Sequence, residues 1–288
     1  MNDISFSVVS ASLQPGSAAP ARPAWCFGDY AGQVTTSESG PPPSHIRTFH
    51  PRRGRIGPTR AQTLAELWPA WGFDIGTQGP AGPTGSAGSA GPAGSAVATA
   101  FDPAALFGRA PGAPERPLVL EIGCGMGEAT VEQAAADPGR DYLGVDVHTP
   151  GLGNLLSLAR ERGLDNVRAA LGDAVELLRD YVKPASVDTV QVLFPDPWPK
   201  ARHHKRRIIR PDLVALMRER LRPGGTLHCA TDWADYAAQM LEVLNADPGL
   251  VNTADGFAPR PDWRPVTKFE RRALADGREI FDLVFVAR

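Results

Sequence analysis

Short apolar runs alternate with stretches of helical periodicity from residue 116 to the end of the chain. The apolar runs predict strands over 117–122, 142–147, 167–171, 187–194, 226–230 and 281–287. The stretches between them predict helices over 126–136, 152–162, 174–181, 211–221 and 233–245. Strands and helices that alternate at this spacing indicate an α/β domain over 116–288, built on a doubly wound, mostly parallel sheet.

The first 115 residues follow different patterns. Residues 1–44 are rich in Ser, Ala, Pro and Gly, which predicts a disordered tail. Residues 45–75 combine a basic arm with apolar residues at helical spacing over 59–71, which predicts contact with nucleic acid, packing on the main domain, or both. Glycine then recurs at every third position, and we interpret 76–115 as a flexible Gly/Ala/Pro-rich insert, because so few triplets contain proline.

Composition narrows the class of protein. The formal net charge is −2, so any basic cluster is a local feature that favours a docking surface. The chain has three cysteines, Cys26, Cys124 and Cys229, which are far apart and lack CxxC spacing. This predicts neither a disulfide framework nor a metal site, and it fits a cytoplasmic protein. We expect no signal peptide, no membrane association and no protein partner, because no suitable apolar segment or other signal is present.

A glycine-rich turn follows the first predicted strand of the main domain. Gly123, Gly125 and Gly127 alternate, which lets the backbone turn sharply and approach a ligand. Glu121 lies just ahead of this turn, where a carboxylate suits the amino group of a ligand such as S-adenosylmethionine. Asp146 ends the second strand, where an acidic residue accepts hydrogen bonds from ribose hydroxyls.

Three further acids follow later strands. Asp173 follows the third strand, where it either meets an adenine amino group or caps the next helix, and these roles are compatible. Asp196 follows the fourth strand, next to the switch point of a doubly wound sheet, and should face a transferred methyl group. Asp232 follows the fifth strand and should lie at the same edge of the sheet. Alternatively, Thr231 or Asp232 caps the helix that follows.

A rigid basic segment follows Asp196. Pro195, Pro197 and Pro199 prevent regular ladder pairing, and Trp198 is a candidate either for stacking on a base or for packing. The basic residues beyond them suit phosphate contacts with RNA, and these are Lys200, Arg202, His203, His204, Lys205, Arg206 and Arg207.

Together these motifs resemble one known family. The segments GCGMGEAT, GVDVH, FPDPWPKARHHKRRI, ATDW and PVTKFERR, in this order, resemble those of the bacterial tRNA (guanine-N7-)-methyltransferases. The resemblance covers about 45–75 and 117–288, and the Pro-Asp-Pro element and the TKFE segment are its most specific parts. Departures are the tail, the triplet insert, and Asp146 where many relatives have Glu.

The resemblance implies a class I S-adenosylmethionine-dependent methyltransferase fold with a seven-stranded sheet, and methylation of the variable-loop guanine, position 46, of tRNA. Implied cofactor contacts are Glu121, Gly123, Gly125, Gly127, Asp146, Asp173 and Asp196, with Asp196 also the catalytic residue. Implied substrate contacts are Lys200, Asp232, Thr267, Lys268, Phe269 and Glu270. RNA contacts are implied from Arg202 to Arg207, and no metal is implied.

Three alternatives remain at this stage. One is a methyltransferase acting on another RNA or on an amine, although a small amine acceptor would leave the basic segment unexplained. A nicotinamide-dependent dehydrogenase would require GxGxxG spacing, whereas this chain has GxGxG. A noncatalytic RNA-binding protein would not need acids after every strand.

Overall fold

The computed structural model of the chain describes residues 46–49, 56–76, 100–110 and 112–288. These residues belong to one compact unit that spans Pro43–Arg288. The predicted tail over 1–44, much of the basic arm and the glycine triplets over 77–96 lie outside the described residues.

One eight-stranded sheet forms the centre of this unit. Its strands are β1 Gly72–Asp74, β2 Leu118–Ile122, β3 Asp141–Asp146, β4 Val167–Leu171, β5 Val187–Leu193, β6 Leu221–Thr231, β7 Leu250–Asn252 and β8 Phe281–Ala287. They lie in the order β1-β4-β3-β2-β5-β6-β8-β7. Strands β1 to β6 pair in parallel, whereas β8 pairs antiparallel with β6 and β7. The predicted doubly wound sheet is confirmed, with one strand more than the seven expected.

Eight α-helices connect or flank the strands of the described chain. They are α1 Pro58–Trp71, α2 Pro103–Leu106, α3 Glu128–Ala136, α4 Thr149–Glu161, α5 Ala174–Glu176, α6 Pro211–Arg220, α7 Ala234–Ala246 and α8 Lys268–Ala275. A π-helical turn, Leu177–Tyr181, continues α5, and Ala201–Arg206 form a 3-10 segment. Helix α4 begins three residues before the predicted start, because Pro150 is suited to a first helical turn. The predicted periodicity missed α8, because half of its sequence KFERRALA is charged.

Helix α1 and strand β1 belong to the same layered domain as the later elements. Strand β1 pairs with β4 and supplies the extra strand of the sheet. Helix α1 packs against α4, where Arg160 donates to Thr63 Oγ1 and to Glu66 Oε2, both at 2.9 Å. The apolar face predicted for this helix, Leu64, Leu67, Trp68 and Trp71, packs against one of the two hydrophobic clusters. The helix therefore packs on the main domain, which is one of the two predicted roles of 45–75.

The predicted insert over 76–115 is too long. Residues 103–106 form α2, and its neighbours Phe101 and Phe107 are buried in the larger hydrophobic cluster. Because alanine, proline and glycine surround these aromatic residues, the sequence shows no helical periodicity that would indicate this short helix. Both ends of the segment between Gly76 and Phe101 meet Tyr181, because Gly76 N donates to its hydroxyl at 3.0 Å and Phe101 N to its carbonyl at 2.9 Å.

No helix in the described parts of the chain is both long and apolar enough to cross a membrane.

Candidate active site

Acidic residues lie at or near the carboxyl ends of five adjacent parallel strands. Across the sheet from β4 to β6 they lie in the order Asp173, Asp146, Glu121, Asp196 and Asp232. Because parallel strands end at a common edge, the topology brings all five to one rim. Across the sheet the first three acids run in the reverse of their chain order, whereas Asp196 and Asp232 keep theirs. The direction changes between β2 and β5, near the centre of the row.

The glycine turn after β2 has a backbone that other residues rarely adopt. Gly123, Gly125 and Gly127 have φ values of 78°, 58° and 74°. A Cβ atom on Gly123 or Gly125 would meet no heavy atom within 4 Å, so open space lies beside this turn. The turn therefore forms an open cradle, which side chains at these glycine positions would fill.

Asp146 and α4 hold the cradle from behind. The two carboxylate oxygens of Asp146 accept from Gly125 N at 2.8 Å and from His148 N at 2.9 Å. Gly151 of α4 packs so closely that a Cβ atom there would lie 2.0 Å from the carbonyl oxygen of Gly125. The role of Gly151 could not be predicted from the sequence, because a single glycine within a helix carries no signal of what it touches.

Glu121 is buried at the base of the cradle. Its Oε2 accepts a 2.5 Å hydrogen bond from Thr130 Oγ1. Burial raises the pKa of Glu121 to about 7, the Thr130 hydrogen bond opposes this increase, and nearby Asp146 adds to it. A carboxyl group that titrates near neutrality at the base of an open cradle is well suited to a cationic partner.

Asp173 caps a helix, as one of its two predicted roles requires. Its Oδ1 accepts from Val175 N at 2.9 Å, at the start of α5. The residue is half-buried at the rim, which keeps the second predicted role compatible with the cap.

The segment that carries Asp196 has an unusual backbone at both ends. Phe194 and Trp198 have φ values of 53° and 47°, and neither is glycine. The Trp198 side chain is buried, and its Nε1 donates to the carbonyl oxygen of Thr48 at 3.2 Å. Packing is thus the role of Trp198 in this structure, and the base-stacking alternative is not supported. Asp196 itself is half-buried.

The basic segment beyond it divides into outward-facing and inward-facing residues. Lys200, Arg202 and Lys205 are exposed. His203 and Arg206 are half-buried and contact the Trp198 ring, with the His203 ring centroid 5.9 Å away and Arg206 Cζ 4.9 Å away. Lys200, Arg202, Lys205 and Arg206 form a cationic surface that begins four residues after Asp196, and the half-buried His203 and His204 lie among them in the sequence.

Arg207 is a correction to the predicted set of RNA contacts. Its side chain is only 2% exposed, so it cannot belong to that cationic surface. A run of charged residues in the sequence does not reveal which member turns inward.

A buried ionic cluster holds the late TKFE segment. Arg264 donates to Asp282 through Nε at 2.8 Å and Nη2 at 2.9 Å, and it also pairs with both carboxylate oxygens of Glu270. His228 Nε2 lies 2.8 Å from Asp282 Oδ1. Burial alone would raise the pKa of Asp282, but hydrogen bonds with His228 and Arg264 lower it below its usual value.

This cluster corrects the prediction for Glu270. Its side chain is buried and occupied by Arg264, so its carboxylate is not available to a guanine edge. Thr267 Oγ1 accepts from Glu270 N at 3.0 Å and caps α8, whereas Lys268 and Phe269 are exposed. At the rim, Asp232 is half-buried, and one of its oxygens pairs with Arg278.

The doubly wound sheet, the glycine cradle and the row of acids define a class I methyltransferase fold. A family model described as a putative methyltransferase matches residues 115–283. Curated relatives named tRNA (guanine-N(7)-)-methyltransferase match far more of the chain. The relative from Streptomyces avermitilis is 49% identical over 83% of this chain and 74% of its own length. That from Paraburkholderia xenovorans is 48% identical over 90% and 89%, and that from Halorhodospira halophila is 49% identical over 85% and 96%. The chain belongs to the tRNA (guanine-N(7)-)-methyltransferase family.

Proposed function

We propose that this protein transfers a methyl group from S-adenosylmethionine to N7 of a guanine in tRNA, at the variable-loop position 46. The observation that carries the proposal is the presence of two features at neighbouring strand ends: a cradle at Glu121 and Asp146, and a cationic surface that begins four residues after Asp196. The first suits the methyl donor and the second suits a polyanionic acceptor.

The residues of the cradle fit S-adenosylmethionine. Glu121 provides a carboxylate for the amino group, Asp146 for the ribose hydroxyls and Asp173 for the adenine amino group. The space beside Gly123 and Gly125 lets the ligand approach the backbone closely. When bound, S-adenosylmethionine would supply a methyl group bonded to a sulfonium sulfur, which leaves as a neutral thioether. Among the described residues, no group of three or more His, Cys, Asp and Glu side chains could hold a metal ion.

Guanine N7 needs alignment more than it needs a base. This nitrogen has a lone pair and no proton, so the N7–carbon bond forms as the carbon–sulfur bond breaks, and no proton is removed. Holding the two reactants in line supplies several kcal/mol of the barrier reduction. The guanine becomes positively charged as the methyl group arrives, and a carboxylate beside it stabilises that charge. We assign this positioning and charge-stabilising role to Asp196.

We propose tRNA contacts for those predicted residues that are exposed or lie at the rim. Lys200, Asp232, Thr267, Lys268 and Phe269 are proposed to contact the guanine or its flanking nucleotides. The basic residues after Lys200 are proposed to contact phosphates, and these are Arg202, His203, His204, Lys205 and Arg206. The proposal places the protein in the cytoplasm, and the unpaired, buried Cys124 and Cys229 fit a reducing compartment.

The test is methyl transfer from labelled S-adenosylmethionine to unmodified tRNA, with a matched tRNA that lacks the variable-loop guanine. Incorporation only into the first tRNA is expected. Equal incorporation into both would overturn the assignment to the variable-loop guanine but keep the transferase activity. Binding of tRNA without incorporation would favour a noncatalytic RNA-binding protein.

A further inference from the structure

Arg207 lies beneath the segment that carries Asp196. Its Nε donates to the carbonyl oxygen of Pro197 at 2.9 Å, and its guanidinium carbon lies 4.6 Å from the centre of the Tyr236 ring. Its Nη2 donates to Asp235 Oδ2 at 2.5 Å. One buried guanidinium therefore joins the start of α7 to the residue directly after Asp196.

The backbone at this point needs such support. Phe194 N makes a 2.7 Å bond to the Ala230 carbonyl, and three prolines then follow within five residues. Proline has no N–H group, so Pro195, Pro197 and Pro199 cannot donate to a neighbouring strand. The positive φ values of Phe194 and Trp198 are unfavourable for residues with side chains, and they persist only where surrounding contacts fix them.

We propose that Arg207 is a positioning residue that fixes the backbone between Phe194 and Trp198 and thereby aims the Asp196 carboxylate at the guanine. The inference rests on the proposed function, and it gives Arg207 no contact with tRNA or cofactor. Its planar fork explains the choice of arginine, because one group must donate in two directions while it stacks on a ring.

A direct role in phosphate binding does not fit the geometry. Arg207 is 2% exposed, whereas the Asp235 side chain that pairs with it is 65% exposed. The charge of Arg207 is thus compensated by a carboxylate that lies between it and solvent. Lys205, two residues earlier in the same segment, is exposed and provides a matched comparison.

The experiment compares Arg207→Lys and Arg207→Ala with Lys205→Ala in the full-length protein. We expect kcat to fall about 10²-fold for Arg207→Lys, which is the scale for a misplaced group near reacting atoms. We expect the slope of log affinity for tRNA against log salt to stay at the wild-type value, because no phosphate contact is lost. For Lys205→Ala the slope should become shallower by about 0.7 to 0.9.

A second measurement does not depend on turnover. Hydrogen exchange of the Asp196 and Trp198 amides, read from peptides spanning 194–200, should be faster in Arg207→Lys than in the wild type. If Arg207→Ala does not fold, the lysine variant alone decides the question.

Two outcomes would overturn the inference. A shallower salt slope with unchanged kcat would make Arg207 a phosphate contact, and a lower unfolding midpoint with unchanged kcat and exchange would make it merely structural. Failure of the proposed function can be distinguished from failure of this inference. In the first case the wild-type protein would methylate no tRNA, but the hydrogen-exchange comparison would still report on Arg207.

Discussion

The indole nitrogen of Trp198 donates a hydrogen bond to the backbone carbonyl of Thr48, which lies 150 positions earlier in the chain. Both residues are buried. The bond connects the segment before α1 to the segment that carries Asp196. The N-terminal part of the chain therefore supports the proposed catalytic segment directly, and does so without a side-chain functional group of its own.

Replacing Trp198 by Phe should destabilise the protein by about 1 to 3 kcal/mol. The change removes the N–H donor and leaves the Thr48 carbonyl buried without that partner. Urea unfolding would measure the effect. Trp263→Phe is the matched control, because Trp263 is exposed and should change stability by less than about 0.5 kcal/mol. Equal stabilities for the two variants would contradict the importance of the Thr48 contact.

Gly151→Ala should damage the cradle, whereas Gly153→Ala in the same helix should not. The new methyl group at 151 would overlap the backbone oxygen of Gly125, which cannot move without shifting the cradle. At 153 it would meet the end of the Ile56 side chain at 3.2 Å, which can rotate away. We expect Gly151→Ala to lose about 1 to 3 kcal/mol of stability and to bind S-adenosylmethionine more weakly. Identical calorimetric binding by both variants would count against the cradle.

Affinity for S-adenosylmethionine should weaken as the pH falls from 7 to 5.5. Burial raises the pKa of Glu121 to about 7, and the proposed contact with the amino group needs the ionised carboxylate. Protonation below pH 7 therefore competes with binding, with a limit of about tenfold in affinity per pH unit. Isothermal titration across this range would measure the slope. In Glu121→Gln the affinity should be lower and the slope flatter, and an unchanged slope would exclude Glu121 as its source.

The raised pKa of Glu121 also makes the stability of the protein depend on pH. The direction is opposite to that of an acid whose pKa is lowered by folding. Between its usual pKa of 4.5 and about 7, the folded protein retains a proton on Glu121 that the unfolded chain has released. The contribution of Glu121 to the free energy of unfolding therefore falls as the pH rises through this window. In Glu121→Gln this contribution should be absent. Urea unfolding of both proteins at pH 5 and pH 7, without ligand, compares the two.

Arg264→Met should be among the most destabilising single changes in the described chain. It would leave the buried Glu270 without its ionic partner and Asp282 with His228 alone. Removing one partner from a buried ionic cluster costs about 3 to 5 kcal/mol. Arg272→Met, an exposed residue of α8, is the control and should change little. A loss below 1 kcal/mol for Arg264→Met would indicate that the cluster rearranges easily.

Asp196→Asn should lower kcat about 10²- to 10³-fold while tRNA binding is preserved. Asparagine keeps the shape of the side chain but removes the charge that stabilises the methylated guanine. Single-turnover methyl transfer with saturating tRNA would measure it. Near-normal turnover with unchanged tRNA affinity would remove Asp196 from the mechanism.

Features that depend on a residue's place along a strand could be predicted from the sequence. The acids at 121, 146, 173, 196 and 232 lie at or near the ends of predicted strands, and a parallel sheet brings such positions to one edge. Residues whose roles depend on distant partners could not be assigned in this way. Arg207 and Arg264 resemble neighbouring surface arginines in the sequence, and their burial depends on Asp235, Asp282 and the folded sheet.

The same limit explains the errors outside the site. Strand β1 has three residues, too few for a period to be recognised, and it forms because β4 is available as a partner. Helix α2 has four residues and is held by the burial of Phe101, Leu106 and Phe107. The predictions for 1–44 and for the glycine triplets stay predictions.

Tyr181 accepts a hydrogen bond from each end of the stretch between Gly76 and Phe101. Gly76 N donates to its hydroxyl and Phe101 N to its carbonyl oxygen. These two bonds fix both ends of the stretch on one buried residue, and Gly76 lies just beyond the edge strand β1. We therefore expect a change in the length of that stretch to leave the strands that carry the acids in place. The same junction is a suitable insertion site for a reporter domain or an affinity tag.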